Sequence, residues 1–400
     1  MRPGAADAQV RAPIRRLAMV PEPLPGEVFH SWFFRLAEHH RTSATVMAEQ
    51  LGLPPFTVHR YTIGDEFVDL TTGGYAVENL RDATGLRAQA LAAMLLAPVG
   101  SRVVKVGWKD RTERAPWIWR TDTASVCPRC LVDPEAAWQV SWHLLPTVAC
   151  PKHRIYLHGW CPDCRSPISI GTTTAYRRQC NGPFGPKGRI VGAKACRRPL
   201  AQLREIPVRR DRILQLQQEL TSRLSAQVPG EDLQDRKEFW NLYELLFRLV
   251  ICLGTPDMLP LATTDAEIWW AFHEFCELRD VVALTAGRNA KVIHDDLASF
   301  QPGPRLSAAA MLAIDELSHG RGLADAIRTF MNLRRYDEWA DILWSVFSDM
   351  RPTFAIGQRI LQIAGSKPRR SYDSPPYAKE RLEDFDLPPA ALLLAGEGLL

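Results

Sequence analysis

Residues 127–164 read CPRCLVDPEAAWQVSWHLLPTVACPKHRIYLHGWCPDC, and this stretch decides how the middle of the chain folds. Cys127 and Cys130 are two residues apart. Nineteen residues later come Cys150 and His153 with the same gap, and seven residues after that Cys161 and Cys164. Two ligands separated by two residues form a tight knuckle, so both donor atoms can face one ion. Two knuckles supply the four tetrahedral positions that structural zinc prefers. Proline follows the first cysteine of all three pairs, which suits a tight turn and removes one backbone donor. Cys127, Cys130, Cys150 and His153 therefore read as a first, closed site. Four protein ligands leave no open coordination position, so such an ion is structural and not catalytic. A redox dithiol reading fails, because three knuckles recur without a thioredoxin-like context.

Working outward, Cys161 and Cys164 form half of a second site. Cys180 and Cys196 follow, each fifteen residues beyond the preceding ligand, with Gly182, Gly185, Gly188 and Gly192 between them. They complete the set, with His158 as an alternative to one of them. The expectation is two structural zinc ions per chain. A region this small buries little apolar surface alone, so metal binding is part of its folding free energy.

The rest of the composition fits a larger soluble protein. The chain has 400 residues, enough for two or three domains with real cores. Hydrophobic residues make up 46% and charged residues 24%, which excludes wholesale disorder and a coiled coil. Thirty prolines exceed the typical ~5%, so turns and short elements should be frequent. Of nine cysteines, seven lie between Cys127 and Cys196; Cys252 and Cys276 stand alone in apolar helical context. No signal-peptide pattern is visible, and the longest apolar stretch, around Ala88–Val99, is too short to span a bilayer. The reading is a cytoplasmic protein without membrane contact, where paired cysteines hold metal.

The net charge is only +4, but its distribution is uneven. Between Arg165 and Arg212 lie twelve Lys or Arg against Glu205 and Asp211, a local excess of +10. Such a strip suggests a polyanion surface. Its candidate phosphate contacts are Arg177, Arg178, Lys187, Arg189, Lys194, Arg197, Arg198, Arg209 and Arg210. The competing role is compensation of metal-bound thiolates, which covers only −2 for a four-thiolate zinc and −1 for a three-thiolate one.

The chain divides into a flexible arm (1–20), an N-terminal helical region (21–120), a tandem zinc-finger region (121–205), a helical C-terminal domain (206–365) and a tail (366–400). In VFHSWFFRLAEHH, Trp32, Phe33, Leu36 and Ala37 recur at helical spacing. Ser43 is placed to cap a second helix, ATVMAEQLGL, closed by Gly52 and Pro54. EFVDL at 66–70 and the Val- and Trp-rich 103–126 are strand candidates. In YAVENLRDATGLRAQALAAMLL two short amphipathic patterns meet at Gly85, which fits a helix-turn-helix with Arg87 and Gln89 exposed; the competing reading is a plain helical hairpin, the commoner use of such a helix pair. Six of twelve tryptophans fall between Trp108 and Trp160. Filling thin zinc-module cores explains them better than base stacking. Helical patterns then occupy 211–225, 231–253, 264–285, 305–319, 322–350 and 352–364. The fold class is mainly α with small zinc-ribbon or zinc-knuckle β elements.

No motif for catalysis appears. There is no phosphate loop, no G-x-S-x-G elbow and no H-E-x-x-H; the nearest string, His273-Glu274-Phe275-Cys276-Glu277, sits on an apolar helical pattern. His39–His40 reads as a solvated helix end.

PLPGEVFHSWFFRLAEHH, LRDATGLRAQALAAM and the quoted 127–164 segment resemble, in this order, the motifs of the TniQ/TnsD family of transposon target-selection proteins. The resemblance covers roughly residues 20–200; residues 205–400 carry no family signature. It implies a helix-turn-helix-bearing N-terminal region, tandem zinc fingers and a helical C-terminal domain, with Cys127, Cys130, Cys150, His153, Cys161 and Cys164 as ligands. It implies no chemistry of its own. The implied role is a non-enzymatic adaptor that recognises a DNA site or an RNA-guided CRISPR effector with its guide. The adaptor recruits the AAA+ transposition regulator and reaches the transposase only indirectly; a homodimer stays open. The alternative from another class is a zinc-containing DNA-binding transcription regulator.

Overall fold

The structure, a computed structural model, describes residues 16–51, 53, 75–95, 124–133, 137–164, 166–168, 178–180, 182, 196–225, 233–260, 262–285, 303–320, 322, 323, 325–327 and 330. Residues 1–15, the strand candidates at 66–70 and 103–123, the helical pattern at 352–364, most of that at 322–350 and the tail lie outside them.

Two helices open the chain: α1 (Phe29–His39) and α2 (Ala44–Gln50). The apolar positions of α1 turn inward, and Trp32, Leu36 and Ala37 are wholly buried. The entry is fixed by Glu27, a buried carboxylate that accepts from Leu24 N, Ser31 Oγ and both Nε and Nη2 of Arg35. Trp32 Nε1 donates to Pro21 O, anchoring the PEPLP segment. Ser43 Oγ accepts from Val46 N at the start of α2, satisfying one of the amides a helix leaves unpaired. Two further helices follow, α3 (Tyr75–Thr84) and α4 (Ala88–Ala93). Gly85 joins them at φ +73°, a backbone state that glycine adopts without strain. Arg87 and Gln89 are exposed there. These helices share one apolar cluster, against which Leu17 and Val20 of the expected arm also pack; Leu17 N donates to Ala83 O.

A short ladder leads from this unit into the cysteine-rich region: Val28 N donates to Trp138 O, and Val140 N to Gly26 O. That region is built from turns, 3₁₀ segments and one antiparallel hairpin, β1 (Ala149–Cys150) with β2 (Ile155–Tyr156), pairing Ala149 with Tyr156 and Cys150 with Ile155. Trp138 and Trp142 are buried edge to face, 6.0 Å apart, filling a thin core as the sequence suggests.

The C-terminal half is helical: α5 (Asp211–Ser225), α6 (Leu233–Leu253), α7 (Ala266–Thr285) and α8 (Pro304–Ser318). Helix α8 packs on α5, α6 and α7. Its run Ser307–Ile314 is buried all round, which is why PRLSAAAMLAI shows no polar face. Four alanines there let neighbours approach closely. Cys276 is buried and donates to Gly254 O; the side chain of Cys252 lies outside the described set. One apolar core runs without a break from Val28 through the cysteine region into these helices. The architecture is mostly helical with few strands.

Candidate metal centres

The first knuckle sits at the 3₁₀ turn Cys130–Val132, and the second spans the turn between β1 and β2. Arg154, in that turn, takes φ +54°, and this reversal brings His153 back over the first knuckle. His153 Nδ1 lies 3.3 Å from Cys127 Sγ, 3.3 Å from Cys130 Sγ and 3.5 Å from Cys150 Sγ. The sulfurs of Cys130 and Cys150 are 3.7 Å apart. A regular tetrahedron with metal–sulfur arms of about 2.3 Å has sulfur–sulfur edges of about 3.8 Å, and sulfur–nitrogen edges of about 3.6 Å. The observed edges fit zinc. Cys130 N also donates to Cys127 Sγ, as an amide does toward a sulfur that carries charge.

The second cluster draws on elements far apart in sequence. Residues 178–180 and 182 pair antiparallel with 196–200 through Cys180 N to Arg198 O, Arg197 N to Cys180 O and Cys196 N to Gly182 O. This ribbon carries Cys180 and Cys196 to the knuckle of Cys161 and Cys164. Sulfur separations are 3.8 Å for Cys161–Cys196 and 3.4 Å for Cys164–Cys180. Gly182 is required by space: a Cβ there would stand 2.4 Å from Ser166 Cβ and 2.7 Å from Cys164 Sγ. In each set of four, all ligand atoms lie within 4.8 Å of one another, so both can hold a metal ion. His158, the alternative ligand, belongs to neither set; its Nε2 faces Arg204 O at 2.7 Å.

The thiols in each set perturb one another. Hydrogen bonds from Cys127, then Cys130, draw the Cys150 thiol down to about 2, while the bond with Cys127 holds Cys130 far above its ordinary range. In the second set the bond from Cys180 draws Cys161 down to about 5, and Cys180 is pushed far up by the same contact. Three or four crowded thiols cannot all ionise unaided. A divalent cation would displace their protons, so metal uptake should release acid.

Side chains from distant helices hold the hairpin. Gln217 of α5 is buried; its Oε1 accepts from Val148 N (2.8 Å) and Ala149 N (2.9 Å), and its Nε2 donates to Ala149 O (3.0 Å). Tyr156 Oη donates to Asp265 Oδ2 at the start of α7 (2.6 Å), which also accepts from Arg209 N. Burial first, then the bond to Asp265, keeps the Tyr156 phenol protonated far above its usual range. Arg154 pairs with Asp211.

The basic strip divides in space. Arg197, Arg209 and Arg210 are exposed. Arg198 is half-buried: Nη1 lies 3.5 Å from Asp163 Oδ2 in the Cys161–Cys164 knuckle, and Nη2 donates to Gln202 O. Its Nε, like Nη2 of Arg178, is buried without an acceptor among the described residues. Arg204 pairs with Glu267, and Arg212 with Asp315 and Glu219. Arg177, Lys187, Arg189 and Lys194 lie outside the described residues.

Residues 18–157 match the family model TniQ. Residues 18–157 therefore carry a TniQ domain. This domain is associated with transposon target selection, and TniQ proteins are in general non-catalytic adaptors. The match takes in α1 to α4 and the whole first cluster, and ends just after β2. It stops short of residue 200, so the second cluster and the four C-terminal helices lie beyond it. No curated protein and no solved structure matches the chain. Among the described residues, no helix is long and apolar enough to cross a membrane.

Proposed function

We propose that this TniQ-domain protein is a non-enzymatic target-selection adaptor of a heteromeric DNA transposon. The TniQ domain at residues 18–157 carries the reading. In this account Cys127, Cys130, Cys150 and His153 hold one structural zinc ion, and Cys161, Cys164, Cys180 and Cys196 hold another. Each ion cross-links turns that have little core of their own and offers no open position for chemistry. The helix pair α3–α4 acts as a helix-turn-helix and presents Arg87 and Gln89 to DNA or to a CRISPR effector. Arg197, Arg209 and Arg210 contact phosphate, together with Arg177, Lys187, Arg189 and Lys194. Arg178 and Arg198 serve instead as internal counter-charges to the second cluster. The C-terminal helices dock the AAA+ regulator, and the transposase is reached through it.

The test is an insertion assay in cells carrying the parent element, with and without this chain. Loss of target-directed insertions when the chain is absent, restored by its re-expression, is the expected result. Unchanged insertion, together with a footprint at the chain's own promoter, would overturn the proposal in favour of a transcription regulator.

A further inference from the structure

Helix α7 lies outside the matched domain and carries an exposed tryptophan beside a second, half-buried one. Trp270 is 56% exposed. Among residues with described side chains it is the only exposed Phe, Tyr or Trp. Its ring is nevertheless fixed. Trp269 meets it edge-on at 4.9 Å and 86°, and His273 lies 5.7 Å away at 67°. Trp269 itself rests on the main core and meets His273 at 4.9 Å with the rings tilted by 30°, and His273 Nδ1 lies 3.6 Å from Glu277. An exposed ring held by neighbours loses little conformational freedom when a partner covers it.

The charges around the ring decide the chemistry of that partner. With 3.6 residues per turn, Glu274 and Glu277 follow Trp270 along one stripe of α7, and both are exposed. Glu267, one turn before, is already answered by Arg204 at 3.3 Å and Arg305 at 3.7 Å. Glu274 lies within electrostatic reach of Arg305 without an ion-pair contact, and Glu277 has no arginine or lysine in ion-pair contact among the described residues. An indole face beside two carboxylates suits a guanidinium, which stacks on the ring and donates to the acids. The same carboxylates repel phosphate, which disfavours nucleic acid.

We propose that the Trp269–Trp270–His273 face of α7, with Glu274 and Glu277, docks an arginine-bearing segment of a partner protein. This inference rests on α7 alone and stands apart from the transposition reading. The test uses the full chain labelled with 5-fluorotryptophan, the Trp270 resonance being assigned by its loss in Trp270→Phe. A blocked Gly-Arg-Gly-Arg-Gly peptide should move that resonance along a saturating curve, whereas a Gly-Glu-Gly-Glu-Gly peptide and a short oligothymidine should not. The double variant Glu274→Gln/Glu277→Gln should weaken the arginine peptide about fivefold. All three side chains are exposed, so these variants keep the fold, checked by unchanged circular dichroism. A resonance that ignores the arginine peptide overturns the proposal. So does equal or greater movement with oligothymidine, which would make the face a base-stacking platform. Movement with protein concentration alone would assign it to a second copy of the chain.

Discussion

Replacing Gln217 with leucine should weaken the fold far more than its place on a solvent-flanked helix suggests. Gln217 contacts no proposed ligand, yet its amide makes three hydrogen bonds to the backbone of residues 148 and 149, beside Cys150. Leucine has similar bulk but no polar atom, so two buried N–H groups and one buried carbonyl lose their partners. Leaving a buried backbone group unsatisfied costs about 1–3 kcal/mol, and part of the sum is recovered by relaxation, giving about 2–5 kcal/mol. For a chain of 400 residues that lowers the melting temperature by roughly 2–6 °C. Glutamate at the same position keeps the double acceptor and loses only the donor, so Gln217→Glu should fall between wild type and leucine. The assay is urea unfolding followed by circular dichroism, paired with the rate at which a chromogenic chelator strips metal. Both should change together, because β1 carries Cys150 and is fixed by this amide. Unfolding within about 0.5 kcal/mol of wild type, the range of a neutral surface change, would refute the argument that α5 holds the hairpin.

Three further outcomes follow from the same structure. Glu27→Gln should cost about 2–3 kcal/mol in denaturant unfolding, because Arg35, only 17% exposed, then loses its carboxylate. His30 has its pKa lowered to about 3 by burial, then by nearby His143; the unfolded chain takes that proton near pH 6.5, so this stability is fully present above pH 6.5 and is lost as pH falls toward 3. Between pH 7 and pH 5.5 that is about 1 kcal/mol, and a His30→Gln variant should show a correspondingly flatter pH dependence of its urea midpoint; parallel curves would remove His30 from the account. If Arg197, Arg209 and Arg210 meet phosphate, changing all three to alanine should reduce the log–log salt slope of DNA binding by up to about 3, and an unaltered slope would leave the strip as a purely internal counter-charge.

How much of this was legible depends on sequence distance. The knuckles announce themselves because ligand spacing is local: Cys127 with Cys130, Cys150 with His153, Cys161 with Cys164. The cap at Ser43 and the turn at Gly85 are local too, and both are found where the sequence places them. Cys180 and Cys196 could be assigned to the second site by count, but only the pairing of residues 178–180 and 182 with 196–200 shows how they converge. Arg198 illustrates the limit for charge counting. A cation in a basic run reads as free surface, whereas its hydrogen bond to Gln202 O and its approach to Asp163 tie it to neighbouring chain. Gln217 and the Tyr156–Asp265 bond were invisible, because a lone polar residue at a helical position gives no sign that it meets a strand more than sixty residues away. The same holds for the core that joins the cysteine region to α5–α8, since the composition changes sharply near residue 206 while the packing does not.

The central claim is that two closed metal centres organise the middle of this chain. Elemental analysis of the purified protein beside Cys150→Ser and Cys180→Ser tests it most directly. The account predicts about two zinc ions in the wild type and about one in each variant. A wild-type chain with one ion or none, or variants that keep both, would contradict it.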